Sequence, residues 1–387
     1  MKKHLFLFLT IIIICWVLVG CGQNDKSSKT KYSEGLEFTL NRNGESYSVT
    51  GIGTCTDTKV VIPSIYNEKP VTSINSYAFY NLTSITSIIV PDSVTSIGAS
   101  AFSGCSSLES ITLPFVGSSA SAKSASSNAL FGYIFGTSSY TGGTETKQYY
   151  NSSIYYDDSN YSTYYIPTSL KTVTITGGNL YYGAFYNCSN LISITLGDSV
   201  TIIGDKAFYG LTSLKSIEIP DSVTSVGNYA FEDCMSLATV VIGDSVTSVG
   251  NYAFEDCISL ATVVISDSVT TLGSGAFSGC KSLTSINIPD SVTIISDGTF
   301  SGCTSLTSIE IPDSVTTIGD AAFGGCTSLT SIEIPVSVTS IGYVAFFRCT
   351  YITIYCEAES KPSGWSNGWN NLNLNGEKIP VVWNYKK

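Results

Sequence analysis

Apolar and polar positions along this chain follow a pattern that repeats every 23 residues. An Ala-Phe or Thr-Phe pair marks the same point of ten repeats, and the spacing holds without a slip from Phe185 to Phe346. A fixed period of about 20 to 50 residues is typical of a solenoid, in which each repeat forms one turn that packs on its neighbours. The phenylalanines of this column are Phe79, Phe102, Phe185, Phe208, Phe231, Phe254, Phe277, Phe300, Phe323 and Phe346. The pattern predicts one long stack of turns.

Each repeat also predicts one short strand. In residues 305–326, SLTSIEIPDSVTTIGDAAFGGC, Ile309 and Ile311 alternate with Ser308 and Glu310, as in a strand with one buried face. Such strands stack in parallel, one per turn. A glycine recurs later in most repeats, and we expect a left-handed backbone there. These glycines are Gly98, Gly204, Gly227, Gly250, Gly273 and Gly319.

The two ends of the repeat array differ from its middle. Outermost turns lack a neighbour on one side, so a solenoid needs capping segments. Residues 32–66 contain alternating positions around Asn43-Gly44 and predict an N-terminal β-hairpin cap. Residues 356–387 lose the period and carry three tryptophans, which is expected of a C-terminal cap. The repeats themselves occupy residues 67–114 and 168–355.

Residues 115–167 interrupt the period, and we expect them to be an excursion from one face of the solenoid. Their second part is rich in tyrosine with serine, asparagine and glycine, a composition typical of binding loops. A hairpin that merely covers the flank of the solenoid explains the composition equally well. The tyrosines selected as candidates for partner binding are Tyr149, Tyr150, Tyr155, Tyr156, Tyr164 and Tyr165.

The first residues have the features of an export signal. Lys2 and Lys3 precede the apolar run LFLFLTIIIICWVLV, and Leu18-Val19-Gly20-Cys21 resembles the lipobox of bacterial lipoproteins. This pattern predicts a signal peptide over residues 1–20, a lipid on the Cys21 thiol and a flexible tether over residues 21–31. An uncleaved membrane anchor is the alternative, and either one leaves the remainder outside the cytoplasm.

Charge and composition exclude several classes of function. The net charge of −11 becomes −13 once Lys2 and Lys3 are removed, with 17 basic against 30 acidic residues, so nucleic acid is not an expected partner. The one histidine, His4, lies in the predicted signal peptide. Without histidine no Ser-His-Asp or Cys-His arrangement can form. We therefore expect no catalysis, no metal and no other cofactor.

Most cysteines occupy a single column of the repeat. Leucine replaces cysteine there at Leu82 and Leu211, which indicates a slot for a small apolar side chain. Turns about 4.8 Å apart would also bring neighbouring cysteines within disulfide range, although equivalent side chains in a parallel stack point the same way. The column contains Cys105, Cys188, Cys234, Cys257, Cys280, Cys303, Cys326 and Cys349.

The repeat SLTSIEIPDSVTTIGDAAFGGC resembles the leucine-rich repeat of BspA-type (Treponema pallidum-like) bacterial surface lipoproteins. The likeness extends from about Tyr32 to Lys387. It implies a mainly β, right-handed solenoid with a parallel sheet on the concave face. Short turns, 3-10 segments or strands are implied for the other face. The family is associated with attachment to host proteins or to other cells.

These features favour a lipid-anchored surface protein that binds an extracellular or host protein as a monomer and meets the membrane only through its anchor. Outward-facing strand residues, together with the tyrosines, are the expected binding surface. Glycan capture through tyrosine and tryptophan rings and a passive spacer without a ligand are the alternatives. The strand residues selected are Glu218, Val241, Val264, Asn287, Glu310 and Glu333.

Overall fold

The computed structural model describes residues 32–122, 126–150, 160–372 and 377–386. In these ranges no helix is both long enough and apolar enough to span a membrane. Cys21, Tyr155 and Tyr156 lie outside the described residues.

The described chain is built from short strands and almost no helix. Two 3-10 segments, Ser127–Ala129 and Phe131–Ile134, interrupt them. The first strands are β1 (Glu37–Leu40), β2 (Tyr47–Gly51), β3 (Lys59–Val61), β4 (Ile65–Tyr66), β5 (Lys69–Ile74), β6 (Ser87–Ile89), β7 (Ser96–Ile97), β8 (Ser110–Leu113), β9 (Gly143–Tyr149) and β10 (Tyr161–Pro167). Next come β11 (Thr172–Ile175), β12 (Ser193–Leu196), β13 (Ser216–Ile219), β14 (Ser225–Val226), β15 (Thr239–Ile242), β16 (Ser248–Val249), β17 (Thr262–Val264) and β18 (Thr271–Leu272). The last are β19 (Ser285–Ile286), β20 (Ile294–Ile295), β21 (Ser308–Ile309), β22 (Thr317–Ile318), β23 (Ser331–Ile334), β24 (Ser340–Ile341), β25 (Thr353–Cys356) and β26 (Val381–Val382).

The longer strands form a parallel ladder on one side of the stack, as predicted. Its main part runs β3-β6-β8-β11-β12-β13-β15-β17, and β19-β21 and β23-β25-β26 follow. Ser216 pairs with Thr239 and Ile217 with Val240, so each residue faces its counterpart 23 positions away. Ile217 and Val240 are buried. We call this side the long-strand ladder.

A second parallel ladder runs along another side of the stack. It consists of the two-residue strands β14-β16-β18-β20-β22-β24. In each strand the second residue is buried, as Val226 and Val249 show. Leu180 and Ile203 extend the ladder toward the N-terminus as isolated bridges. The apolar columns of the sequence thus converge from both ladders on one continuous core.

The phenylalanine column forms the third contact between turns. From Phe185 to Phe346 neighbouring rings lie nearly parallel, with centroids 4.8 to 5.9 Å apart. The N–H of Phe208 donates to the carbonyl of Ala230 at 2.8 Å, and this bond recurs in later turns. Residues two before and two after the phenylalanine have positive φ, as Lys206 (54°) and Gly210 (70°) illustrate. The left-handed positions therefore flank the phenylalanine.

The prediction of a left-handed backbone at the recurring glycines was wrong. Gly98, Gly204, Gly227, Gly250, Gly273 and Gly319 are not among the residues with positive φ. A Cβ built on Gly250 would lie 2.6 Å from the backbone N of Asn228 and 2.6 Å from the carbonyl carbon of Gly227. Glycine is needed there because the backbones of successive turns approach too closely for a side chain.

The cysteine column packs in the core and forms no disulfide among the described residues. Its members are buried, and the thiol of Cys280 donates to the carbonyl of Phe254 at 3.2 Å. The same bond joins Cys257 to Phe231 at 3.1 Å. Burial raises the pKa of Cys303 and of Cys349 to about 12, so these thiols stay protonated. Of the two alternatives for the column, the structure supports packing.

The segment between β8 and β11 contributes to the core before it leaves the solenoid. β8 pairs directly with β11, with Ser110 opposite Thr172, so the long-strand ladder continues across the interruption. The phenylalanine column is completed by two rings of the segment, with Phe135 6.4 Å from Phe102 and Phe131 4.8 Å from Phe185. Residues 115–167 are therefore not a single excursion, because Phe131, Ile134 and Phe135 lie in the core.

The two ends of the stack are closed by different elements. β1 and β2 form an antiparallel hairpin, and β2 then pairs in parallel with β5. At the other end the rings of Trp369 and Phe346 meet edge to face, with centroids 6.1 Å apart. Trp365 forms an isolated parallel β-bridge with Ile341. Trp365 and Trp369 are both buried. They pack against the last turn and leave no open ring surface to solvent.

We predict that Gly250→Ala lowers the free energy of unfolding by about 1–3 kcal/mol, because the added methyl group forces neighbouring turns apart. Urea unfolding followed by circular dichroism measures the loss. Gly177→Ala is the matched control, since its nearest contact would be 3.3 Å from the carbonyl of Pro114. Equal stability of Gly250→Ala and Gly177→Ala would contradict the close approach of the turns.

Candidate functional site

The β9–β10 hairpin is fixed to the solenoid by a buried glutamine. Gln148 has no exposed surface. Its side-chain oxygen accepts from the N–H of Gly132 at 2.7 Å, and its amide nitrogen donates to the carbonyl of Tyr186 at 3.0 Å. A buried amide with both ends satisfied holds two segments in one relative position. Because of Gln148, the hairpin and the turn that carries Tyr186 form a single surface.

Three tyrosines meet where the hairpin joins the turns. Tyr186 and Tyr209 each follow a phenylalanine of the core, so the 23-residue register stacks their rings at 4.5 Å. Tyr149 of β9 lies 5.1 Å from Tyr186. Beside these rings is an open groove of about 530 Å³. We call it the tyrosine groove, and its lining includes Tyr149, Tyr186, Tyr209, Glu145, Asp233 and Met235.

Ring faces in the groove are largely covered by neighbours within the chain. Tyr186 lies between Tyr149 and Tyr209. The ammonium of Lys206 lies 5.3 Å from the ring centre of Tyr209, a cation–π distance. Burial, with the nearby Glu232 and Asp233, raises the pKa of Tyr209 to about 12. The groove therefore presents ring edges and protonated hydroxyls.

Carboxylates adjoin the tyrosines in the next two turns. Glu232-Asp233 and Glu255-Asp256 directly follow Phe231 and Phe254, and we call these pairs the acidic turns. Burial raises the pKa of Glu232 to about 7; Lys206 opposes the shift, whereas Glu255, Asp233 and Asp256 add to it. Asp233 lines the tyrosine groove and contributes to the raised pKa of Tyr209. The groove thus has a negative edge on the side of the acidic turns.

The raised pKa of Glu232 predicts a pH-dependent stability. The native chain holds this proton more tightly than the unfolded chain, whose glutamates titrate near about 4.3. Stability is therefore lost as the pH rises from about 4.3 through about 7. Glu232→Gln should reduce this loss when thermal unfolding is compared at about pH 5 and about pH 8. Glu310→Gln, at an exposed position of the long-strand ladder, is the control, and an identical pH profile for the two variants would sink the prediction.

The predicted strand residues form one outward row on the long-strand ladder. Glu218 pairs with Val241 and Val241 with Val264, so the three lie side by side on β13, β15 and β17. Val264 is 36% exposed, whereas Val241 is half-buried. Asn287 and Glu310 are exposed and Glu333 is half-buried. Asn287 and Glu310 directly follow β19 and β21, and the other four residues lie within their strands. The groove is lined instead by the hairpin and the phenylalanine turns.

The predicted tyrosines have different environments. Tyr149 lines the groove and Tyr150 is half-buried beside it in sequence. The hydroxyl of Tyr165 donates to the Glu145 carboxylate at 3.0 Å. Tyr164 is only 3% exposed, and its hydroxyl donates to the carbonyl of Ser127 at 2.8 Å. A buried ring offers a partner no contact area, so Tyr164 does not belong to the site.

Of the eleven residues that line the groove, only Tyr149 was predicted from the sequence. Tyr186, Tyr209, Asp233 and Met235 belong to the phenylalanine turns of the repeats, whereas the predicted repeat residues lie on the strand side. A signal was present, because the position after the phenylalanine is Ser or Gly in the turns of Phe277, Phe300 and Phe323 but Tyr or Glu in the four turns before them. Within the described ranges no group of three or more His, Cys, Asp or Glu side chains is placed to hold a metal ion.

Comparison with known families identifies the repeat. The family model described as the BspA type leucine rich repeat region (6 copies) matches residues 72–176, 178–307 and 293–363, which is well over half of the chain. The chain belongs to the BspA-type leucine-rich repeat family. Membership in this leucine-rich repeat family suggests a role in protein–protein interaction or at the cell surface. Solenoids of this family are typically not enzymes.

Several solved structures are similar to this BspA-type chain. A leucine rich cell surface protein from Faecalibacterium prausnitzii shares 28% identity over 90% of this chain and 98% of its own, with a TM-score of 0.38. A leucine-rich repeat protein from Bacteroides ovatus shares 24% identity over 92% and 99%, with a TM-score of 0.43. The T. pallidum leucine rich repeat protein shares 22% identity over 77% and 90%, with a TM-score of 0.26. No curated protein matches the chain.

Proposed function

We propose that this chain is a lipid-anchored, non-catalytic cell-surface protein that binds a partner protein in the tyrosine groove. The groove is the observation that carries the proposal. It joins the half-exposed rings of Tyr149 and Tyr209, protonated hydroxyls and carboxylates on a surface that Gln148 holds rigid. Rigid tyrosines give large contact area for little loss of side-chain entropy on binding.

The covered ring faces favour a protein partner over a glycan. Sugars stack on an open aromatic face, and the faces of Tyr149, Tyr186 and Tyr209 contact one another or Lys206. The buried indoles of Trp365 and Trp369 offer no platform either. Ring edges and hydroxyls suit the backbone and side chains of a polypeptide instead.

The groove also argues against a passive spacer. Met235 is 42% exposed beside Tyr209, although an uncharged polar side chain occupies the equivalent position in the turns of Phe185 and Phe208. Val264 is a second exposed apolar residue, on the long-strand ladder. Exposed apolar groups grouped with tyrosines are typical of interaction surfaces. The outward row from Glu218 to Glu333 is the second surface that a long partner would contact.

We predict that Tyr209→Ala lowers affinity for the partner at least about tenfold, because a central tyrosine of an interface contributes about 2 kcal/mol or more. Soluble residues 32–387 would be tested by surface plasmon resonance against immobilised extracellular matrix proteins. Tyr252→Ala is the control, since this tyrosine stacks on Tyr229 outside the groove lining. If Val264→Ser loses affinity for the partner and Tyr209→Ala does not, the binding site lies on the long-strand ladder. Absence of binding to any protein would favour the spacer.

We further propose that Cys21 carries the lipid. Support comes from the Leu18-Val19-Gly20-Cys21 motif after an apolar run. The full chain expressed in a bacterium should incorporate an alkyne fatty acid and sediment with membranes, and Cys21→Ala should do neither. A Cys55→Ala variant controls for acylation of another thiol, because Cys55 is half-buried and free. Labelling that persists in Cys21→Ala would reject the anchor.

A further inference from the structure

We propose that the tyrosine groove receives a lysine or arginine side chain of the partner protein. The aliphatic stem would lie along Tyr209 and Met235, and the cationic head would meet Asp233 and the acidic turns. This inference rests on the proposed function, because it names the chemistry that the same groove selects.

The groove has enough volume for a long side chain. Its volume of about 530 Å³ lies within the range of sites that bind small groups, about 300–1,000 Å³. Tyr209 and Met235 contribute apolar surface to its lining, which also includes the carboxylate of Asp233. Lysine and arginine have a long apolar stem with a charged end, so they match a lining that combines apolar and acidic groups.

An excess of negative charge surrounds the groove, which favours a cationic ligand. Four carboxylates, those of Glu145, Asp233, Glu255 and Asp256, adjoin two lysines, Lys147 and Lys206, which leaves an excess of two negative charges. Glu232 adds a third negative charge once it ionises above about pH 7. The ammonium of Lys147 lies 3.8 Å from the ring centre of Tyr161. The ammonium of Lys206 lies over the ring of Tyr209. With the ring faces taken, an incoming cation would meet ring edges and carboxylates.

The acidic pair is confined to two neighbouring turns. Residues 226–248 and 249–271 differ at three positions only, so Glu-Asp follows the phenylalanine in both. In the turns of Phe277, Phe300 and Phe323 the same two positions are Ser-Gly, Ser-Gly and Gly-Gly. The duplication therefore places two copies of the acidic pair beside the tyrosines. A partner segment with two basic residues would match both copies.

The titration of Glu232 makes the inference measurable. Glu255, Asp233, Asp256 and Tyr209 face this carboxyl as negative or neutral groups, and Lys206 is the cation beside it. A second cation would stabilise the charged form and release the proton that Glu232 retains near pH 7. By linkage, a cationic ligand then binds more tightly above that pH than below it.

The test is calorimetric titration of the full chain with capped tetralysine and tetraarginine peptides. We expect binding that is at least about fivefold tighter at about pH 8 than at about pH 6, accompanied by proton release at the lower pH. Tetra(acetyl-lysine) has the same length without the charge and should not bind. Equal binding of the acetylated peptide would overturn the inference.

The variant Asp233→Asn tests whether peptide binding depends on the groove itself. Asparagine occupies the equivalent left-handed position at Asn187 (φ 58°), so this variant keeps the turn. It should weaken tetralysine binding about tenfold. Asp313→Asn removes the same charge from an exposed position outside the groove lining and should leave binding unchanged. Equal losses in the two variants would show attraction to the net negative charge alone and would reject the site.

The outcome can be separated from that of the proposed function. If Tyr209→Ala abolishes capture of a matrix protein while tetralysine fails to bind, the groove binds proteins without selecting a cation. If tetralysine binds through Asp233 and no matrix protein is captured, the selectivity stands and the partner lies outside the matrix panel.

Discussion

The structure depends on one constraint, which is that the strands and rings of each turn must meet their counterparts in the next turn, 23 positions away in most of the array. Backbone bonds such as that from Phe208 to Ala230, the paired strands of both ladders and the stacked phenylalanine rings all obey this register. A single turn buries too little apolar surface to offset the entropy lost on ordering it, so stability resides in the interfaces between turns. Extra residues in a turn must therefore lie outside the two ladders and the phenylalanine column.

The interruption after β8 shows how that constraint is met. β8 and β11 keep their pairing, and Phe131 and Phe135 complete the phenylalanine column. The residues left over form the β9–β10 hairpin on the flank. The position of the hairpin is thus set by the core, and Gln148 then fixes its orientation. A groove arises where a constant scaffold meets the inserted segment.

The repeat, its strands and its buried columns could be predicted from the sequence because each of them depends on periodic apolar residues. The role of the glycines could not, because the approach of Gly250 to the backbone of Gly227 depends on how turns stack. Phe131 and Phe135 were missed because they depart from the 23-residue spacing. The groove was missed because Tyr149 and Tyr186 come together through a tertiary contact, and no local pattern encodes that contact. The same holds for Tyr164, whose burial follows from the docking of the hairpin.

In an oxidising compartment, the thiol column would set a time limit on folding. Thiols in the finished stack are buried and bonded to carbonyl groups of the preceding turn, as Cys280 is to Phe254. Before the stack closes, the same thiols are exposed on one chain at regular intervals, where an oxidising compartment would couple them at random over seconds to hours. Contacts between consecutive repeats are local in sequence, and local contacts form quickly. Rapid stacking of neighbouring turns would therefore protect the chain from its own cysteines.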